Sequence, residues 1–395
     1  MTRDELRVAV LDALKETKNI AVQAATGIGK SKIALDAINE VKAKSILFVV
    51  AEVSHIKNWK DEFNKWGFDP FSSTIICYAS LKKYRNTSWD VVVFDEAHHL
   101  ASDLRLEIFD TISAKYRIFL SATLKESLIY KLEASCGPIK SIKAGLQDAF
   151  DNNILPEPKI YLIPLVLDNK NYDQEIVEEW GKAYARKVIE CSYRERWTYL
   201  RNKSRYPNIT LKIKCTQQQK YDYLTEQFNY YKNRYMNTRN EIIKNKWLQF
   251  GSKRKTYLGS IKLPVAYNLI QQLESENERF ICFCTNIEQA TWLGGDNAVH
   301  SKRKDNASII QKFNDKEINS LYAVGMLQEG VNLNDIDAGV IIQLDGEERS
   351  FIQRFGRTLR ADSPEQYIIY YKATRDEEYL KNALENIDKK YIKEL

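Results

Sequence analysis

A short apolar run, Ile20–Ala24, leads into Ala24-Ala25-Thr26-Gly27-Ile28-Gly29-Lys30-Ser31, and a helical pattern follows over Lys30–Val41. Strand, glycine turn and helix, in that order, are what a phosphate-cradling loop requires. Glycines let backbone N–H groups turn toward phosphate oxygens, and the helix N-terminus adds the positive end of its dipole. Thr26, Gly27, Ile28 and Gly29 would form the cradle. Lys30 would reach the outer phosphates, and the Ser31 hydroxyl would hold Mg2+. About 65 residues later a second apolar run, Val91–Phe94, ends in Asp95-Glu96-Ala97-His98. Adjacent carboxylates at the carboxyl end of a buried strand stand at the sheet edge where the phosphate loop also lies. Asp95 would bind the metal and Glu96 would polarise an attacking water. Either motif alone is matched by a bland reading, a chance Gly-rich turn or a solvated strand end; the two together disfavour it.

These residues need a scaffold that brings several strand ends to one edge. Apolar runs at Ile20–Ala24, Ser45–Ala51, Thr74–Tyr78, Val91–Phe94 and Arg117–Leu120 alternate with helical patterns at residues 2–18, Lys30–Val41 and His55–Lys65. That alternation predicts a parallel sheet covered on both faces. Asp151–Pro158, polar and with two prolines, reads as a linker. Ile160–Leu167 reads as a strand, and residues 169–262 as mostly helical and highly charged. The alternation then returns, with strands at Arg279–Cys284, Ser320–Val324, Gly339–Leu344 and Tyr367–Tyr371 and helices at Leu263–Glu274, Ala307–Phe313 and Ser350–Thr358. The chain is therefore expected to be α/β throughout, with two such units.

Composition excludes several classes. The 395 residues carry 44% hydrophobic side chains and a net charge of +6, as an ordinary globular protein does. There is no apolar run long enough to span a bilayer, and the charged N-terminus lacks an apolar signal core. Six cysteines do not make a disulfide framework, and four histidines offer no zinc constellation. Cys282 and Cys284 read as core residues, and Asp335 and Asp337 as a turn. The cytoplasm of a bacterial or phage-infected cell is the expected location. The charge is unevenly spread: Gly181–Lys262 holds 20 Lys and Arg against five acids, a net of +15, which leaves −9 for the remainder. Ten of the 23 tyrosines lie in the same stretch. Cations interleaved with aromatics suit a polyanion, and Arg254 and Lys255 lie within that stretch. A solvated helical face with a tyrosine-lined core is the competing reading.

The motifs resemble those of superfamily 2 helicases and translocases of the DEAH-box type. Asp95-Glu96-Ala97-His98 is similar to the box itself, Ser121-Ala122-Thr123 to the SAT motif, and Gln353-Arg354-Phe355-Gly356-Arg357-Thr358-Leu359-Arg360 to QRxGRxxR. Gly325–Leu333 resembles motif V, with Gly330 in its glycine element and Asn332 where an aspartate is usual. Cys215–Tyr221 is loosely similar to a segment of chromatin-remodelling-type translocases. The resemblance implies two RecA-like parallel-sheet domains, at 1–152 and 153–395, with ATP and Mg2+ in the cleft between them and residues 169–262 as a largely helical, basic and aromatic insertion. It implies that Gln353, Arg357 and Arg360 reach the phosphates from the second domain, and that Ser121, Thr123 and His98 couple nucleotide state to domain closure. It places nucleic-acid contacts at His55, Lys57, Asn58 and Trp59, at Tyr78 and Ser80, at Thr285 and Asn286, and at His300. No adenine-reading glutamine follows Leu6-Arg7, which leaves base selectivity open. The implied protein is a compact, monomeric DNA helicase or translocase of the small phage type, acting on single-stranded, forked or branched DNA, with no membrane partner. A duplex translocase that remodels without unwinding and an RNA-clamping ATPase are the alternatives.

Overall fold

The computed structural model describes residues 1–25, 27–325, 333, 335–346, 348–359 and 361–395. The first sheet contains β1 (Asn19–Ala24), β2 (Ile46–Val50), β3 (Ser73–Cys77), β4 (Ser88–Phe94), β5 (Ser113–Ser121) and β6 (Lys140–Ala144). Their order is β3-β2-β4-β5-β1-β6, and every pairing is parallel. Alternate residues of one strand enter different cores. Phe48 and Val50 of β2 join one apolar cluster, and Leu47 and Val49 join the other. A strand buried on both faces has to read as a continuous apolar run, which is why β1, β2 and β4 stand out in the sequence. β6, with the pattern Lys-Ser-Ile-Lys-Ala, lies at the edge and exposes both lysines.

The second sheet begins with β7 (Lys159–Leu165). The chain leaves it for an insertion holding β8 (Gln174–Trp180), β9 (Lys187–Ser192) and β10 (Ile209–Cys215), then returns through β11 (Phe280–Phe283), β12 (Ala298–Val299), β13 (Ser320–Ala323), β14 (Ala338–Ile341), β15 (Glu365–Tyr371) and β16 (Ile392–Glu394). The order is β12-β13-β11-β14-β15-β7-β16, again parallel throughout. The C-terminal β16 therefore closes on the strand that opened the sheet. Among the described residues no helix is long and apolar enough to cross a membrane.

The insertion is largely helical, as expected, and carries in addition a small sheet that the sequence did not indicate. Its first half is a three-stranded sheet in which central β10 runs antiparallel to β8 and parallel to β9. Ile209, Leu211, Ile213 and Cys215 of β10 alternate into a small core, a period-two signal obscured by the lysines between them. Its second half is helical, a hairpin of Gln217–Thr238 and Glu241–Ile261. Arg239 turns the chain at φ 51°, and the Asn240 side chain caps the second helix by accepting from the amides of Ile242 and Ile243. The seam is aromatic: Tyr231 stacks on Phe250 and Tyr235 on Trp247.

The two sheets meet through the segment between them. Phe150, on the short helix Leu146–Asp151, lies edge-on to Phe355 at 6.3 Å and to Tyr391 at 5.4 Å. Phe355 belongs to the helix Glu348–Thr358, so the connecting segment is keyed directly to the helix that carries Gln353 and Arg357.

Candidate active site

Strand order determines which motifs meet. β5 lies between β4 and β1, so Ser121 at its end stands between the glycine loop after β1 and the acid pair after β4. Gly27 (φ 92°) and Gly29 (φ 105°) take left-handed backbone that other residues resist. A Cβ on Gly27 would also stand 3.0 Å from Leu155 Cδ2 in the connecting segment. Gly29 caps the helix that begins at Lys30, which sets the loop's amides over a helix N-terminus.

The Lys30 ammonium is folded back onto the strand end, donating to Ala24 O at 2.7 Å and Ala25 O at 3.4 Å. Burial pushes its pKa down from the ordinary lysine value; Glu96 and Asp95 oppose that, and Arg357 adds to it. Arg357, from the second sheet's side, is thus close enough to act electrostatically on the lysine of the first.

Asp95 is held from four sides. The Trp59 indole donates to its Oδ2 at 2.9 Å, and His55 Nδ1 lies 3.8 Å from the same oxygen. Oδ1 accepts the Glu96 amide at 3.0 Å, and the Tyr78 hydroxyl donates to the Asp95 carbonyl at 3.0 Å. Glu96 takes left-handed backbone, φ 48°, which turns its side chain off the strand line into the cleft. His98 Nδ1 lies 3.3 Å from Glu96 Oε2 and 3.3 Å from Ser121 Oγ, and Ser121 Oγ donates to Thr123 O at 2.8 Å. His98, Ser121 and Thr123 therefore form a chain leading from Glu96 to the loop after β5.

These groups line one cleft of about 1060 Å³. Lys30, Ser31, Asp95 and Glu96 lie on one wall, and Gln353 and Arg357 on the other. Gln353 and Arg357 are buried, at 3% and 7% exposure, although both are strongly polar. Asp95 and the Ser31 hydroxyl suit a Mg2+ ion held mainly by substrate oxygens. Among the described residues there is no group of three His, Cys, Asp or Glu that would bind a metal unaided. Thr26, Gly330 and Arg360 lie outside the described residues.

Several residues expected to touch nucleic acid do other work. His55 and Trp59 are buried at 6% and 3% exposure and hold Asp95, and Trp59 packs on Phe48 at 4.7 Å. Tyr78 is 3% exposed and serves the same strand end. Asn58, half-buried, lines the cleft, whereas Lys57 is exposed and Ser80 half-buried. Thr285 Oγ1 is buried against Gly259 of the hairpin, where an added Cβ would stand 2.1 Å away. Asn286 caps the helix Ile287–Gly294 by accepting from Gln289 N, and His300 N donates to Asn306 Oδ1. Arg254 is 6% exposed with its guanidinium 4.5 Å from the Phe228 ring, and the Lys255 amine is 3.8 Å from Asp345. Burial turns the side chains of His55, Trp59, Tyr78 and Arg254 inward, while Lys57 stays exposed and Asn58, Ser80, Asn286 and His300 half-buried.

The cleft also holds residues the motifs did not indicate. Arg3 donates to Gly27 O at 3.2 Å and Ile154 O at 3.4 Å, tying the glycine loop to the connecting segment. Arg7 pairs with Asp36 at 2.8 Å, and Trp66 lies at the mouth with Lys32 and Lys65 over its ring. Only the first-turn position of Arg3 in an N-terminal helix hinted at this role.

Residues 262–362 match the model for the helicase conserved C-terminal domain, and residues 3–85 and 71–126 match that for the type III restriction enzyme res subunit. The chain is 24% identical over 401 residues to the DNA 3'-5' translocase XPB2 of Sulfurisphaera tokodaii, across 93% of this chain and 80% of the relative. It is also similar to the helicase domain of Pyrococcus furiosus Hef, with a TM-score of 0.48 and 14% identity, covering 95% of this chain and 96% of that one.

Proposed function

Since the chain belongs to the superfamily 2 helicases, we propose that it is an ATP-dependent DNA helicase or translocase, with domains at 1–152 and 153–395 and nucleic acid held in part by the insertion at 169–262. The observation that carries the reading is the single cleft with Lys30, Asp95 and Glu96 on one wall and Gln353 and Arg357 on the other. Opening or closing that cleft makes or breaks a hydrolytic site, so chemistry and domain motion are linked by construction.

Within it, the glycine-loop amides and Lys30 hold the β- and γ-phosphates. Bound Mg2+, with Ser31 and Asp95 as its protein ligands, would neutralise phosphate charge. Glu96 orients the attacking water and accepts its proton as the water oxygen bonds to the γ-phosphorus. The bridging P–O bond breaks and ADP keeps its electron pair, while Arg357 offsets charge on the equatorial oxygens. His98, Ser121 and Thr123 pass the state of Glu96 to the loop after β5. DNA enters the reading through the translocase relative and the basic insertion. That relative is described as a DNA 3'-5' translocase; movement along duplex DNA without unwinding is the second reading.

The test is ATPase stimulation by single-stranded, duplex and forked DNA and by RNA, with Glu96→Gln as control. DNA stimulation with turnover abolished in Glu96→Gln supports the reading. Stimulation by RNA alone, or turnover unchanged in Glu96→Gln, overturns it. Strand- and triplex-displacement assays on one preparation separate unwinding from duplex translocation.

A further inference from the structure

The segment Ile342–Asp345, just after β14, is shared by two elements that otherwise have separate tasks. From one side the base of the helical hairpin grips it. Lys262, completely buried, donates to Ile342 O and to Gln343 Oε1, both at 2.9 Å, and pairs with Asp376 at 2.6 Å. Lys255, two helical turns earlier, reaches Asp345 Oδ2 at 3.8 Å. From the other side the helix Glu348–Thr358 grips it. Arg354 donates to Gln343 O at 3.1 Å and to Asp345 Oδ2 at 2.9 Å, and Ser350 donates to that same oxygen at 2.8 Å. Arg357 follows Arg354 by three residues, so the ledge that fixes Arg354 also fixes the approach of Arg357 to the cleft.

Three donors therefore converge on one oxygen, and two of them are cations. Burial lowers the pKa of both Lys255 and Arg354, and Asp345 opposes the shift at each. A displacement that withdraws Lys255 takes one cation away from the carboxylate that Ser350 and Arg354 use; one that presses Lys255 in makes Arg354 share it. The hairpin has the reach to impose such a displacement. Its first helix has 22 residues, about 33 Å at the usual rise. Its outer part has no buried residue between Thr225 and Lys253. Its base is stiff: Gly259 packs against Thr285, Gln289 donates to Gly259 O at 3.0 Å, and Tyr371 donates to Ile261 O at 3.3 Å.

We propose that Lys255 and Asp345 are positioning residues for ATP hydrolysis, forming a strut by which nucleic acid on the hairpin sets the placement of Arg357. This rests on the reading of the chain as a DNA-stimulated ATPase. The experiment measures DNA-free turnover, turnover at saturating DNA, DNA affinity and its salt dependence, in the full chain and in Lys255→Met, Lys255→Arg, Asp345→Asn and the double variant Lys255→Met/Asp345→Asn. The expected result for Lys255→Met is DNA-free turnover, affinity and salt slope within twofold of the parent, with stimulation by saturating DNA reduced at least tenfold and restored in Lys255→Arg. In the cycle the double variant is no worse than the poorer single variant, because both changes break one link. Stimulation retained in Lys255→Met, losses that multiply in the double variant, or loss of affinity with full stimulation at saturation would each overturn the strut; the last would make Lys255 a phosphate ligand. If the parent chain itself shows no DNA stimulation, the functional reading falls and the strut with it, an outcome distinct from failure in the variants alone.

Discussion

Trp59→Phe decides between the nucleic-acid contact expected of Trp59 and the support of Asp95 that the structure shows. In the structure the indole N–H donates to Asp95 Oδ2 at 2.9 Å, while the ring packs on Phe48 at 4.7 Å and Phe63 at 6.0 Å. Phenylalanine keeps most of the ring contact and deletes the donor. A hydrogen bond to a charged acceptor is worth about 1.5–3 kcal/mol, and removing the outer-shell partner of a metal-binding carboxylate typically costs roughly 10–100-fold in metal affinity or activity. His55 Nδ1, at 3.8 Å from the same oxygen, is too far to replace the bond. The Mg2+ concentration for half-maximal ATPase should therefore rise at least about tenfold. The KM for ATP at saturating Mg2+ should stay near the parent value, since Lys30 and the glycine loop are untouched. DNA affinity should not change, because the indole is 3% exposed. A Mg2+ titration of turnover and a DNA-binding isotherm on the same preparation decide it. An unmoved Mg2+ midpoint with weakened DNA binding would refute the assignment and restore Trp59 as a nucleic-acid contact.

Other consequences can be read from thermal melts and binding curves. Phe150→Ala removes the aromatic contact between the connecting segment and both Phe355 and Tyr391; a loss of about 3–5 kcal/mol of stability is expected, seen in denaturant melts. Lys232, Lys246 and Lys253 are exposed and have no acidic partner among the described residues, the latter two lying over Tyr231 and Phe250; changing all three to glutamine should weaken DNA binding and reduce the salt slope by about 3, while an unchanged slope would show that the hairpin holds no phosphate. Asp90 has its pKa lowered to about 2, chiefly by its hydrogen bond to Lys115 and then by the Lys44 amide. A depressed folded pKa adds stability above the unfolded value, lost as pH falls through the folded one. Asp90→Asn should therefore lower Tm at neutral pH, and the gap should close between about pH 4 and pH 2.

What could be read from residues alone followed burial. Strands inside the sheets, such as Ile46-Leu47-Phe48-Val49-Val50, have no solvent face and so announce themselves. β6 and β16 are edge strands with exposed lysines, and they carry no such signal. The glycine loop and the acid pair were legible because each is local in sequence and tied to a strand end. The contacts of Asp95 were not, since Trp59 and Tyr78 come to it from other strand–helix units and are aligned only by the sheet. The charge count was also sharpened by topology. Gly181 is not a structural boundary: β8 carries Glu175, Glu178 and Glu179 into the same small sheet, and over 169–262 the balance is 21 cations to nine acids, +12. Several cations beside β8 are matched there, Arg186 by Glu179 and Lys212 by Glu175.

The excess is shared, with eleven cations to six acids over 169–216 and nine to three over 217–261, but it is least diluted in the outer part of the hairpin. From Phe228 to Arg254 there are seven cations and one acid, Glu241, and that acid is committed to Lys244 at 3.1 Å. The rings of the seam do not offer open stacking faces, because they stack on one another and carry Lys246, Lys253 and Arg254 above them. Such an element suits the backbone of a polyanion better than its bases, since it provides charge while the rings of its seam are stacked on one another. Binding there should depend on salt and be indifferent to sequence, which is what a motor that moves along DNA needs from a part that must release at every step. Its stiff base on the ledge at Ile342–Asp345 then matters as much as its charge: a grip that merely held would oppose movement, whereas one connected to Arg354 can bias hydrolysis while engaged.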